Sequence, residues 1–160
     1  MKKLNRKGFT LIELLAVIVI LAIVLVVTIP SVLNSMNDAR RTSLQNATDT
    51  VAEWFTKQYE LAVLGTSLGS TSVDSAYTTF VGTGGMPTTK ANAKTLTTAV
   101  IEAAGINGGT TNVTGTVYLN GNKICVELTA PSGSDFYVNA DGTTGNKAQS
   151  AGCPTPTSGS

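Results

Sequence analysis

Glu13 is the first residue whose position calls for a chemical reason. It lies in the stretch Phe9–Ile29, where only Thr10 and Thr28 are otherwise polar. A carboxylate at mid-bilayer costs roughly 2.5–3.5 kcal/mol on insertion scales for the comparable aspartate. Cys125 and Cys153 are the two cysteines. They could bridge in an oxidising compartment, or one could act as a thiol nucleophile, for which the chain holds no histidine to serve as base. The same absence removes histidine triads, histidine metal ligands and histidine proton shuttles. Gly82-Thr83-Gly84-Gly85 is glycine-dense but lacks the Gly-Lys-Ser/Thr ending and the preceding apolar strand of a phosphate loop. Asn139-Ala140-Asp141-Gly142, with Asp135 nearby, holds only part of a calcium loop's oxygen set and no terminal glutamate, so a plain turn is expected. Asn46-Ala47-Thr48 and Asn112-Val113-Thr114 match the glycosylation sequon, a pattern frequent by chance. With no nucleophile–base pair and no metal cluster, no catalytic residue, cofactor or metal is expected.

The elements that carry these residues divide the chain sharply. Its 160 residues suit one domain plus an appendage. Leu14–Val27 is fourteen apolar residues in succession, whereas the remainder is rich in Thr (25), Gly (16) and Ser (12). Lys2, Lys3, Arg6 and Lys7 form a basic head before the apolar run, the pattern of an export or anchoring signal with its basic end left in the cytoplasm. About 20 residues of helix cover roughly 30 Å, enough to cross a bilayer core. Thr28-Ile29-Pro30-Ser31 is a poor match to an A-x-A cleavage site, so the anchor is expected to stay. The overall charge of +1 argues against a broadly basic nucleic-acid binder.

Lys7-Gly8-Phe9-Thr10-Leu11-Ile12-Glu13-Leu14 resembles the class III signal of type IV prepilins and pseudopilins, and the likeness extends over residues 6–30. The resemblance implies cleavage between Gly8 and Phe9 by a membrane peptidase, followed by N-methylation of Phe9. It assigns Glu13 and Pro30 to assembly, the carboxylate neutralising the Phe9 amine of another subunit and the proline kinking the helix. Such a buried pair costs roughly 3–5 kcal/mol when one partner is removed. Loss of the four leader cations leaves seven positive side chains against ten negative, a net of −3, which disfavours DNA binding by the bulk subunit. Ala22 stands where the family often has glycine. Alanine is about 1 kcal/mol better in a helix, which opposes melting there.

The resemblance further implies an α+β pilin fold, with a long helical spine packed on a small antiparallel sheet. The expected layout is a leader at 1–8, a transmembrane and filament-core helix at 9–30, and an amphipathic half-spine at 31–64. A Gly/Thr-rich connecting region at 65–112 follows, then a sheet with a disulfide-closed loop at 113–153 and a flexible tail at 154–160. Leu44, Ala47, Val51, Trp54 and Leu61, widened by Phe55 and Ala62, make the core-facing stripe, and Gly65 is the predicted stop. Residues 66–90 read as a loop and 91–104 as a short helix ended by Gly105. Asn120-Gly121 is the hairpin cue, predicting Val117 opposite Ile124, Gly115 opposite Val126 and Val113 opposite Leu128. A third strand is expected at Phe136-Tyr137-Val138. Pilins commonly close the C-terminal loop with a disulfide, which implies a Cys125–Cys153 bridge enclosing 27 residues and worth about 3.6 kcal/mol.

The implied role is a structural subunit polymerising with copies of itself into an extracellular filament for adhesion, motility or DNA uptake. The alternative is a pseudopilin of a type II secretion or competence system. Expected partners are the prepilin peptidase, the inner-membrane assembly platform with its motor ATPases, minor pilins, and the membrane before assembly.

Overall fold

The computed structural model describes residues 9–68, 73–106, 113–138 and 147–154. Helix α1, Leu11–Leu68, supplies residues to two compact units, one ending at Asp38 and one beginning at Ala39. In the first unit the side chains from Leu11 to Leu33 are exposed on every face of the helix. Pro30 lies inside α1 and the helix continues through it. Proline has no amide hydrogen to offer the carbonyl four residues earlier. Just before it, the Thr28 hydroxyl donates to the Val24 carbonyl at 3.0 Å.

The second unit holds the core. Leu44, Ala47, Val51 and Phe55 recur every three or four residues, so one face of α1 is buried against the rest of this unit. Helices α2 (Ser75–Val81) and α3 (Thr98–Ala103) add Tyr77, Phe80, Val100 and Ile101. The antiparallel sheet, in the order β1-β2-β3-β4, comprises Lys94–Thr95, Thr114–Asn120, Lys123–Thr129 and Lys147–Gln149. Its inner face contributes Val117, Leu119, Ile124, Val126, Leu128 and Ala148 to the same core. The architecture is α+β and pilin-like, a long N-terminal helix packed against a small four-stranded antiparallel sheet.

Several local expectations need correction. Gly65 does not end α1, which runs to Leu68. The hairpin register is shifted by two residues, with Val117 opposite Val126 and Gly115 opposite Leu128. The physical reason is the turn. Gly121 has φ +65°, and among the described residues no side-chain-bearing residue has a positive φ. An Asn120-Gly121 centre of type I′ would need both residues at positive φ; a Gly121-Asn122 centre asks this of glycine alone, as in type II′. A two-residue slip keeps each side chain on its face, so the predicted inner face is retained.

Phe136-Tyr137-Val138 is not a strand. Turns consume that backbone, the Ser134 N–H donating to the Pro131 carbonyl and the Tyr137 N–H to the Ser134 carbonyl, each at 3.1 Å. The sheet is completed instead by β1 and β4, on opposite edges. The region read as a loop contains α2, whose N-cap Asp74 accepts the Ala76 N–H at 2.7 Å. Of the helix expected at 91–104, only Thr98–Ala103 forms as α3. Gly105 follows it at φ +90°, while Lys94–Thr95 pairs with β2.

Candidate functional site

The first candidate is the start of α1. Phe9 and Thr10 precede the helix, and Phe9 is 88% exposed. Gly8, the other side of the expected scissile bond, lies outside the described residues. Thr10 caps the helix. Its N–H and its hydroxyl each donate to Glu13 Oε2 at 2.9 Å, and the Glu13 N–H points back to the Thr10 hydroxyl at 3.3 Å. This reciprocal arrangement is a capping box, in which threonine and the glutamate three residues on each satisfy an orphan amide of the first turn. The carboxylate also lies where the helix dipole favours negative charge. Glu13 therefore has an intrachain partner within an apolar segment. Thr10 was absent from the expected site residues, although Thr10-Leu11-Ile12-Glu13 carries the capping pattern in plain sequence.

Beyond this turn no side chain up to Val27 offers a hydrogen-bond donor. The helix there is apolar all round and long enough to cross a membrane. A helix apolar on every face suits lipid or the interior of an assembly, not water.

The second candidate is the C-terminal loop. Cys125 and Cys153 are bonded, with their Cα atoms 4.7 Å apart. Three further contacts seat the loop on the β2–β3 hairpin. The Ser150 N–H donates to the Val126 carbonyl at 2.9 Å, the Ser150 hydroxyl accepts the Val126 N–H at 3.0 Å, and Asn120 Nδ2 donates to the Gly152 carbonyl at 3.2 Å. Two contacts tie α1 to the same region, Arg40 Nη1 donating to the Tyr137 carbonyl at 3.0 Å and Gln45 Nε2 to the Gln149 carbonyl at 2.9 Å. Glu127 stands beside the two sulfurs, but the disulfide leaves no thiolate to ligate a cation.

On the outer sheet face Glu127 Oε1 receives Lys90 Nζ at 2.6 Å and Gln149 Nε2 at 2.5 Å. That hydrogen bond, with the charge of Glu127, holds the Lys90 ammonium above the usual lysine range. Burial pushes the Tyr118 phenol up, and the Glu127 charge adds to it. The remaining sequence candidates are placed without a site. Gly82–Gly84 form an exposed 3-10 turn. In the Asn46 sequon the Thr48 hydroxyl is buried and donates to the Leu44 carbonyl at 2.8 Å. Asn112 and Asn139–Gly142 lie outside the described residues.

Residues 3–29 match the family described as the prokaryotic N-terminal methylation motif. The chain thus carries the class III signal peptide of type IV pilins and pseudopilins. No match was found among curated proteins or among solved structures. The motif implies processing by a prepilin peptidase and assembly into a pilus-like polymer. With the apolar helix behind it, the motif is consistent with membrane anchoring before assembly.

Proposed function

We propose that this protein is a structural pilin, made as a membrane-anchored precursor and polymerised through α1 into an extracellular type IV pilus. The peptidase cuts between Gly8 and Phe9 and Phe9 is N-methylated. The carboxylate of Glu13 then neutralises the Phe9 amine of another subunit as the helices leave the bilayer for an apolar filament core. Pro30 marks the end of that core segment. The inner-membrane platform and its motor ATPases drive the transfer, and minor pilins are the expected accessory subunits.

The observation that carries this reading is the methylation motif at 3–29, most of which is a helix that is apolar and exposed on all sides. A helix of that kind needs a second environment once it leaves lipid, and copies of itself supply one. The small sheet, the α1 stripe and the disulfide make a stable head for such a subunit.

The test is Glu13→Val in cells that carry the assembly machinery. Cleavage is expected to proceed and filament yield to collapse; normal filament numbers would contradict the reading. Long surface fibres from the unaltered protein support the pilus, whereas fibres confined to the periplasm or cell wall would move it to the pseudopilins.

A further inference from the structure

We infer that Thr10 is the positioning residue for Glu13, holding its carboxylate on the N-terminal end of α1 where cleavage releases the Phe9 amine. The inference rests on the assembly role proposed above for Glu13. Two donors of Thr10 converge on one oxygen, Oε2, each at 2.9 Å, so the carboxylate is folded back over the first turn toward Phe9. Among the described residues Oε1 receives no hydrogen bond, which leaves one oxygen tied to its own helix and one available to an incoming ammonium.

The sequence offers no substitute for this contact. Between Phe9 and Val27, Thr10 is the only residue with a side-chain donor. The adjacent Leu11, Ile12 and Leu14 are exposed hydrocarbon. In lipid or in a dry filament core water is missing as well, so an unheld glutamate would sample rotamers with nothing to fix them. Glutamate is among the side chains with most rotamer freedom to lose. Holding it beforehand lowers the ordering cost of forming the intersubunit pair. The Thr10 backbone N–H survives replacement by valine or serine; the hydroxyl is the removable half.

The experiment uses the full chain in cells with the assembly machinery, comparing Thr10→Val, Thr10→Ser and the control Thr28→Val. The Thr28 hydroxyl bonds back to the Val24 carbonyl and serves no carboxylate. Two quantities are read for each variant, the processed fraction by intact mass and the yield of sheared filaments. All three are expected to be processed like the unaltered chain. Thr10→Val should lower filament yield roughly tenfold, the scale of one hydrogen bond to a charged group. Thr10→Ser should recover it to within about twofold, and Thr28→Val should leave it unchanged. Full yield from Thr10→Val, no recovery by Thr10→Ser, or an equal fall in Thr28→Val would each overturn the inference. So would an uncut Thr10→Val precursor, since the hydroxyl would then act in processing. If the unaltered chain is itself uncut or forms no filament, it is the reading of the protein as a pilin that fails.

Discussion

Gly152 lies so close to Ile124 that a Cβ on the glycine would overlap the Ile124 carbonyl oxygen and carbon. This close approach is what lets the next residue, Cys153, reach Cys125 on the same strand. Gly152→Ala is expected to push the loop off β3 and destabilise the head by about 1–3 kcal/mol, the range for overpacking a closely fitted site. Thermal unfolding of the oxidised protein checks this, with thiol titration reporting any failure to bridge. An unchanged melting temperature with full oxidation would show that the loop can move aside freely.

The disulfide itself should contribute more. Its partners are 28 positions apart, and closing a loop of that length removes about 3–4 kcal/mol of unfolded-state entropy. Cys125→Ser with Cys153→Ser is expected to lower the urea midpoint of the head accordingly. A midpoint unmoved from that of the oxidised protein would mean that packing around Ser150 alone fixes the loop.

Phe55 is fully buried and sits among Trp54, Phe80 and Tyr77, with ring centroids 5.0, 5.5 and 6.0 Å away. It joins α1 to α2 edge-on, so its removal empties the centre of the head. Phe55→Ala should cost about 3–5 kcal/mol, read by denaturant unfolding. A loss below 1 kcal/mol, well under that range, would place the core elsewhere.

Stability should fall on the alkaline side. Burial raises the phenol of Tyr77, with Tyr59 adding to it, and burial also raises that of Tyr118, while Glu127 raises Lys90. Each group keeps its proton longer folded than unfolded. The stability they contribute is therefore complete below their unfolded values, about pH 10 for tyrosine, and is lost as pH rises through the folded ones. Melting temperature measured from pH 8 to 11 should decline steeply near the upper end. Tyr77→Phe should make that decline shallower; an equal slope in the variant would remove Tyr77 from the explanation.

How much of this is legible in sequence depends on how many residues carry each signal. The Leu14–Val27 run and the Leu44-to-Phe55 stripe repeat over many turns, so α1 can be read directly. The hairpin faces follow from alternation, but the register hinges on which of Asn120, Gly121 and Asn122 sit at the turn centre, and only the φ of Gly121 decides that. Strands β1 and β4 have two and three residues, too few for any alternation to show. Helix α2 hides in a Ser/Thr/Gly-rich region. Even so, Asp74 as cap and the spacing of Tyr77, Phe80 and Val81 were its local marks. Gly65 looks like a helix stop because glycine is poor in a helix interior by about 1 kcal/mol, but it is buried and the helix runs past it. At the candidate site the resemblance to prepilin signals points to Gly8, Phe9 and Glu13; the capping pattern Thr10-Leu11-Ile12-Glu13 is legible too, but only the placed hydrogen bonds show both Thr10 donors meeting on one oxygen of Glu13.

The most direct measurement is intact-mass and N-terminal analysis of protein sheared from the cell surface. The expected species is recovered as fibres, begins at N-methyl-Phe9, and is two hydrogens lighter than its reduced mass because of the Cys125–Cys153 bridge. An uncut chain found only in membranes would contradict the account, and the assembly roles of Glu13 and Thr10 would fall with it.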